Sequence, residues 1–330
     1  MDHTDIKGYR SNPQLKTIIH DWKGTPVDKN GRFMNLTHPY IPKLSDLLRW
    51  KLQSNPFKQE KKTAHWQPEI QTDHSWINSN EDVIVWLGHC TFYISIGGIR
   101  LLTDPVFGDI LTLKRQTPFP VDPVIFTNLN YILLSHDHRD HMDKESLQLL
   151  SRNNPGVKYL TGLGEEKLVH RFTNSNNIET AGWYQQFNTT AIQITFIPSR
   201  HWAKRSAFDT NQRLWGGFVV EGNNKRILFG GDSGYDIHYK QLAEVFGSFD
   251  YALLGIGAYQ PTWFMNPSHQ SPAEALQAFE DLHAKYLIPM HYGTFDLADE
   301  PLDMPAKELM KAAAQKNVII LKPGQPLSVN

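Results

Sequence analysis

Residues 133–143 read Leu133-Leu134-Ser135-His136-Asp137-His138-Arg139-Asp140-His141-Met142-Asp143, and this stretch decides the fold class. Three imidazoles and two carboxylates lie within six residues, directly behind an apolar run. Imidazole and carboxylate are the usual protein ligands of zinc and similar divalent ions. The sequence therefore predicts a metal site in residues 135–143, which we call the metal loop.

The spacing within the metal loop predicts two adjacent positions for metal ions. Tyr131–Leu134 is typical of a short buried strand, so the polar residues begin where that strand ends. Side chains two apart, His136 and His138, can reach one ion from a tight loop, while Asp140 and His141 aim at a second position beside it. The alternative, a polar loop with solvated histidines, explains a lone histidine better than it explains this His-x-His-x-Asp-His cluster.

Composition narrows the class of protein. The chain has 330 residues and a formal net charge of −1, so charge gives no reason to expect nucleic acid or an anionic membrane as partner. Cys90 is the only cysteine, which excludes an intrachain disulfide and a cysteine-rich metal site. Residues 1–7 lack the apolar core of a signal peptide, and no stretch approaches the roughly 20 apolar residues of a spanning helix. We therefore expect a cytoplasmic protein.

We divide the chain near residue 80. Residues 1–80 are predicted to be an irregular N-terminal extension packed on the main domain, which covers residues 81–330. Apolar residues between Ile41 and Leu52 follow helical spacing. Two interpretations of this helix stay open: a short helix that packs on the main domain, or an amphipathic element near a substrate mouth or lipid surface.

Short β-rich runs dominate the main domain. The predicted strands are Val83–Leu87, Thr91–Ile96, Ile99–Thr103, Tyr131–Leu134, Val157–Leu160, Ala191–Ile197, Leu214–Glu221, Lys225–Phe229, Tyr251–Leu254 and Tyr286–Pro289. Gly97-Gly98 is typical of a two-residue hairpin turn. His201, Asp232 and His291 each lie just past one of these strands, where layered α/β folds build their sites.

Helices are predicted between the strands. Asp143 is placed to cap the helix that follows the metal loop. Ser271 to Glu274 form a capping box with proline at the first helical position, opening a helix over 275–284. Pro305 similarly opens a helix over 306–315.

The order of the polar motifs resembles that of the metallo-β-lactamase superfamily, which implies a four-layer αββα sandwich holding two metals along one edge of its β layers. A narrower resemblance, to the N-acyl-phosphatidylethanolamine-hydrolysing phospholipase D family, runs from about residue 30 to nearly the end. It rests on motifs at Asn30–Asn35, Leu47–Trp50, Trp86–His89, Leu102–Pro105, Pro198–Trp202, Leu214–Gly216, Gly231–Tyr235, Ile256–Tyr259 and His291–Phe295.

This resemblance implies two zinc ions per chain, with other divalent transition metals as alternatives. It assigns His136, His138 and His201 to one ion, Asp140, His141 and His291 to the other, and Asp232 to both. It also makes Asp140, Asp232 and His269 catalytic candidates. Two cations close together lower the pKa of a shared water and neutralise charge on a phosphodiester, so attack at phosphorus would expel an alkoxide.

Substrate contacts are expected from six residues near these motifs: Arg139, Trp202, Tyr259, Trp263, Met265 and Ser268. Two of them depart from the animal members of the family, which have an aromatic residue in place of Arg139 and an amide in place of Ser268. Trp263 to Met265 follow Pro261 in a predicted loop, where exposed apolar bulk suits an acyl chain or a membrane surface.

The function expected from the resemblance is hydrolysis of N-acyl-phosphatidylethanolamine to N-acylethanolamine and phosphatidate. Another phosphodiester or a lactone is the alternative substrate, since this fold hosts many hydrolases. An iron oxidoreductase is disfavoured, because such members usually have a carboxylate in place of His138 and need an electron-carrying domain. A binding protein with a relic site is disfavoured because every expected ligand is present. No nucleic acid partner is expected, whereas a peripheral membrane contact and a homodimer stay open.

Overall fold

A computed structural model describes residues 6–38, 40–64 and 66–329. Residues 1–5, where we expect no signal peptide, lie outside the described residues. In chain order the strands are β1 (Gly8–Arg10), β2 (Lys16–Thr17), β3 (Thr25–Val27), β4 (Val83–Gly88), β5 (Thr91–Ile96), β6 (Ile99–Thr103), β7 (Tyr131–Leu134), β8 (Lys158–Gly162), β9 (Ile178–Ala181), β10 (Gln185–Gln186), β11 (Gln193–Ile197), β12 (Gly217–Gly222), β13 (Lys225–Phe229), β14 (Phe249–Gly255), β15 (Ala284–Met290) and β16 (Pro326–Ser328). The helices are α1 (Leu44–Leu52), α2 (Lys58–Thr63), α3 (Lys144–Asn153), α4 (Glu166–Thr173), α5 (His238–Phe246), α6 (Thr262–Met265), α7 (Pro272–Asp281) and α8 (Met304–Ala313).

Within the described ranges the strands form two seven-stranded sheets and one small pair, β1 with β3. The N-terminal sheet has the order β16-β4-β5-β6-β7-β8-β9, and the C-terminal sheet the order β15-β14-β13-β12-β11-β10-β2. Both sheets mix antiparallel hairpins with parallel strands, and β7 and β15 lie in the parallel parts. The carboxyl ends of these parallel strands carry the polar loops.

Alternation of side chains along β4 shows how the layers pack. Ile84 and Trp86 belong to the core between the two sheets, whereas Val83 and Val85 belong to a second core on the other face of the N-terminal sheet. Helices α3 and α4 cover that outer face, and α5, α7 and α8 pack on the C-terminal sheet. The predicted αββα sandwich is therefore confirmed.

Local sequence patterns predicted several elements correctly. Strands β5, β6, β7 and β13 begin and end at the predicted residues. Gly97 and Gly98 form the predicted turn with φ of +57° and +76°, a conformation that a two-residue hairpin requires and that glycine adopts without strain. Asp143 accepts a hydrogen bond from the Ser146 amide at the start of α3.

Other element boundaries were predicted wrongly, and backbone geometry explains why. Strand β12 begins at Gly217 instead of Leu214, because the amides of Leu214 and Gly216 donate to Leu163 and Ser135 outside the ladder. Helix α7 ends at Asp281, and residue 284 already belongs to β15. Helix α8 ends before Ala314, which has φ of +49°. The segment after Pro261 is the short helix α6 rather than a loop.

The N-terminal segment contributes to the main sheets. Strand β2 pairs with β10 as the edge of the C-terminal sheet, a contact that the polar sequence around it did not predict. Helix α1 forms at the predicted place but buries none of its side chains. It is attached through Trp50, whose ring lies 5.3 Å from that of Phe264 and whose Nε1 donates to Asp299 at 3.0 Å. The leucines of α1 therefore do not form the packing face that the first interpretation required.

Candidate metal centre

Four strand ends bring the predicted ligands to one edge of the sandwich. The metal loop follows β7, and His201, Asp232 and His291 follow β11, β13 and β15. His138 Nδ1 lies 2.9 Å from His136 Nε2 and 3.1 Å from His201 Nε2. These three nitrogens face a common point, which we call the first site.

The second site lies beside the first and contains Asp140, His141 and His291. Asp140 Oδ2 is 3.6 Å from Nε2 of both histidines. Asp232 Oδ2 lies between the sites, 3.1 Å from His141 Nε2 and 3.2 Å from His291 Nε2. The same oxygen is 3.7 Å from His201 Nε2 on the side of the first site. One carboxylate thus faces both groups of nitrogens.

The donor atoms fit divalent cations. Nε2 of His141, Nε2 of His291 and Oδ1 of Asp232 are buried without a hydrogen-bond partner among the described residues. Such groups are rare in folded proteins because losing water without a replacement is costly. A set of imidazole nitrogens and carboxylate oxygens suits zinc and related ions, which would satisfy these atoms.

Three of the five candidate histidine ligands are oriented through their other ring nitrogen. His136 Nδ1 lies 2.9 Å from Ser135 Oγ, and His201 Nδ1 lies 3.0 Å from the Ser268 carbonyl oxygen. His141 Nδ1 lies 2.7 Å from Oδ2 of Asp104, which is fully buried. Partners of this kind fix the tautomer and raise the basicity of a ligand nitrogen.

Charge and burial set the protonation of these groups. Burial, followed by the positive charge of His141, holds the pKa of His136 well below its ordinary value, so this ring is neutral as a metal ligand must be. Burial also lowers the pKa of His291, but Asp232 and Asp140 outweigh it and raise that pKa to about 9. The negative charges of Asp140 and Asp232 therefore favour a positively charged group between them, which can be a proton on His291 or a metal ion.

Two further histidines border the sites. His269 lies with its ring 5.2 Å from that of His201 and 5.1 Å from that of His291, and burial lowers its pKa to about 4. His89 Nε2 lies 3.1 Å from Asp140 Oδ2 and supports this carboxylate. The sequence placed His89 in a family motif without a role, as it did Asp104.

Backbone geometry at the sites is unusual. Gly231, before Asp232, has φ of +59°, and a Cβ there would lie 2.5 Å from the Gly216 carbonyl oxygen. His89 and His291 also have positive φ, of +53° and +61°, which is uncommon for residues with a side chain. Strain of this kind gathers where surrounding structure holds functional groups in place.

The predicted substrate residues fall into two groups, and the first borders the metal sites. The Trp202 ring lies 4.4 Å from that of His138. Arg139 is exposed within the metal loop. Met265 accepts hydrogen bonds from the amides of Ser268 and His269 through its carbonyl, so it holds the segment that carries His269.

The second group consists of Tyr259 and Trp263, whose contacts are with residues outside the metal sites. The Tyr259 hydroxyl donates to Glu308 at 2.7 Å, and its side chain is buried. Trp263 is 39% exposed, with the Arg49 guanidinium 4.3 Å from its ring. Roles in substrate binding stay predictions for all six residues.

Comparison with known proteins gives concordant similarities. A family profile described as a β-lactamase superfamily domain matches residues 99–292. An N-acyl-phosphatidylethanolamine-hydrolysing phospholipase D from Caenorhabditis elegans is 34% identical, over 69% of this chain and 69% of its own length. The mitochondrial enzyme of that name from Saccharomyces cerevisiae is 35% identical, over 68% of this chain and half (50%) of its own length. A metallo hydrolase from Ignicoccus hospitalis has a similar fold, with a TM-score of 0.55 and 19% identity over 76% of this chain and 98% of its own.

Proposed function

This chain belongs to the metallo-β-lactamase superfamily and is a metal-dependent hydrolase, and on that premise we propose that it cleaves N-acyl-phosphatidylethanolamine to N-acylethanolamine and phosphatidate. The observation that carries the proposal is the position of Asp232, whose Oδ2 lies within 3.7 Å of His201 on one side and 3.2 Å of His291 on the other. A carboxylate there can be shared by two zinc ions. Two ions suit a phosphodiester, because each can contact one non-bridging oxygen.

The residues around the sites have separate tasks in this reaction. Bound zinc ions would supply the Lewis acidity that activates water and neutralises charge developing on the phosphoryl oxygens. His269, neutral and beside Asp232, can donate a hydrogen bond to a phosphate oxygen. Arg139 presents an exposed positive charge within the metal loop and attracts the phosphodiester anion.

A peripheral membrane contact accounts for the apolar surface near α1 and α6. Leu44, Leu48 and Leu52 are 71%, 54% and 86% exposed, and their spacing of four residues places them on one face of α1. Trp263 on α6 adds an aromatic ring that is 39% exposed, with the guanidinium of Arg49 4.3 Å from its centre. Apolar and basic groups together suit an anionic bilayer that holds the lipid substrate. Within the described residues, no helix combines the length and apolarity needed to cross a bilayer.

A soluble phosphodiester is the second candidate substrate. Arg139 stands where the animal members of the lipid-cleaving family have an aromatic residue, and a guanidinium pairs with the phosphate of a soluble ester as well as with that of a lipid. The proposal further includes a cytoplasmic location, a main domain over residues 81–330 and a role for residues 1–80 in the membrane contact.

Hydrolysis in ¹⁸O-labelled water tests the reaction. Attack at phosphorus places the label in phosphatidate, and Asp232→Asn should lower the rate by several orders of magnitude while the fold survives, as circular dichroism can check. Label in the N-acylethanolamine would mean attack at carbon and would refute the mechanism. Turnover of soluble esters or lactones without any lipid turnover would assign the function to the alternative hydrolase.

A further inference from the structure

A buried ion pair connects Asp137 of the metal loop with Arg213. Arg213 Nε donates to Asp137 Oδ2 at 2.6 Å. The Asp137 side chain is fully buried and that of Arg213 is 15% exposed. Asp137 lies between His136 and His138 in the chain. Fixing its side chain therefore also fixes the backbone that carries two of the first-site nitrogens.

Asp137 joins the metal loop to the segment that follows His201. Its Oδ1 accepts from the Lys204 amide at 2.7 Å, and its carbonyl oxygen accepts from an Arg205 guanidinium nitrogen at 3.0 Å. With the Arg213 bond, all three oxygens of Asp137 are bonded to residues 204–213. The first site draws its ligands from these same two loops, His136 and His138 from one and His201 from the other.

Arg213 is itself held in place, so it can fix the position of the Asp137 side chain. Its second terminal nitrogen donates to Asp209 Oδ2 at 2.5 Å, and its Nε lies 3.5 Å from Glu165 Oε2. A planar guanidinium can hold Asp137 and Asp209 at once from fixed directions, whereas the ammonium of lysine is a single point of charge.

We propose that Arg213 is a positioning residue that, through Asp137, holds the two loops of the first metal site at the separation a metal ion requires. The inference rests on the proposed function for its metal but concerns binding alone. Residues that orient the ligand loops raise metal affinity, because mobile ligands lose conformational freedom when the ion binds. Asp137 belongs to none of the clusters of candidate ligand atoms among the described residues, and Arg213 has no ligand atom to offer.

Metal affinity measured without substrate tests the proposal. In Arg213→Gln and in Asp137→Asn, chelator competition should show one of two ions bound about 10- to 100-fold more weakly, with the other unchanged. Asp137→Asn retains an oxygen for the Lys204 amide but removes the acceptor for Arg213 together with the negative charge. Titration with cobalt(II), followed by visible absorption, distinguishes the weakened ion from the retained one.

Two controls separate positioning from general stability. Asp209→Asn alters a second carboxylate partner of Arg213 but leaves the bond between Arg213 and Asp137, so it should weaken the first ion much less than Asp137→Asn does. The double variant Asp137→Asn/Arg213→Gln should lose no more affinity than either single variant, because both act through one bond. Arg213→Lys should fall between wild type and Arg213→Gln.

Three results would overturn the proposal. They are unchanged affinity for both ions in Asp137→Asn, additive losses in the double variant, and an equal loss in Asp209→Asn. If Arg213→Gln does not fold, Asp137→Asn against Asp209→Asn still decides. Because metal affinity is measured without lipid, a failure of the proposed lipid hydrolysis would not change the result of this test.

Discussion

Glu165, just before α4, is a carboxyl group that the fold buries without a hydrogen bond. Its side chain is fully buried, and neither of its oxygens has a hydrogen-bond partner among the described residues. Burial, then the charge of Asp137, raise the pKa of Glu165 well above its ordinary value. Arg213 and Arg205 oppose this increase, and Glu166 adds to it. The folded protein therefore retains a proton on Glu165 at pH values where the unfolded chain has lost it.

We predict that Glu165→Gln removes part of the pH dependence of stability. Below the ordinary pKa of 4.5 the folded and unfolded states both hold the proton. Above it only the folded state does, so Glu165 lowers the free energy of unfolding by about 1.4 kcal/mol per pH unit until the pH passes the raised pKa. Urea unfolding of wild type and variant across this range measures the difference in slope.

Glu166→Gln is the matched control, since Glu166 is the next residue and is exposed. Its stability should fall with pH at the slope of the wild type, although the fall should end at a slightly lower pH because the charge of Glu166 contributes to the raised pKa of Glu165. Identical slopes for Glu165→Gln and wild type would mean that Glu165 is ionised in the folded protein, and the account of its environment would be wrong.

At the scale of elements, the surroundings of α1 do not account for the apolar stripe in its sequence. A helix that packs on a domain buries its apolar stripe, yet Leu48 and Leu52 are 54% and 86% exposed. Trp50 attaches the helix on its other side by packing on Phe264. The apolar stripe is therefore free to contact a lipid surface.

We predict that Leu48→Ser/Leu52→Ser weakens binding to anionic phospholipid vesicles several-fold and lowers lipid turnover, while activity on a small soluble phosphodiester is unchanged. The physical reason is the loss of apolar area that the bilayer would bury. Vesicle sedimentation and paired assays measure both effects. Leu111→Ser, at a position 74% exposed elsewhere on the surface, is the control and should bind vesicles like wild type. Equal vesicle binding by the double variant would remove α1 from the membrane contact.

At the scale of the whole molecule, the candidate metal centre joins the two sheets at one edge. The metal loop follows β7 of the N-terminal sheet, whereas His201, Asp232 and His291 follow strands of the C-terminal sheet. An ion bound by ligands from both sheets links them directly. Bound metal should therefore stabilise the entire sandwich.

We predict that removing the metals with a chelator lowers the melting temperature, and that added zinc restores it. Each ion that binds only the folded state contributes about 4 kcal/mol when free zinc exceeds its Kd by about 1,000-fold. Thermal unfolding at a series of free zinc concentrations measures the effect, with magnesium, which prefers an all-oxygen octahedral site, as the control ion. A melting temperature independent of zinc, in protein shown by elemental analysis to be metal-free at the start, would contradict the prediction.

The sequence by itself determined the sandwich and the groups that gather at its edge. Alternation and turn chemistry act between neighbouring residues, so strands such as Thr91–Ile96 and the Gly97-Gly98 turn were predicted to the residue. The seven candidate ligands were assigned through the family resemblance of the motifs that carry them, and each of these motifs stands just after a strand. The same local rules missed α4 and α5 and extended α7 into β15.

Only the tertiary structure decided how those groups are held. Asp104 and His141 are 37 residues apart, and Arg213 and Asp137 are 76 apart, yet both pairs are bonded in the folded chain. No periodicity links such positions, because their contact exists only once the sheets have paired and packed. For the same reason the exposure of α1 could not be predicted: its leucine spacing is that of a packed helix, and only the absence of a neighbour on that face among the described residues leaves it in solvent.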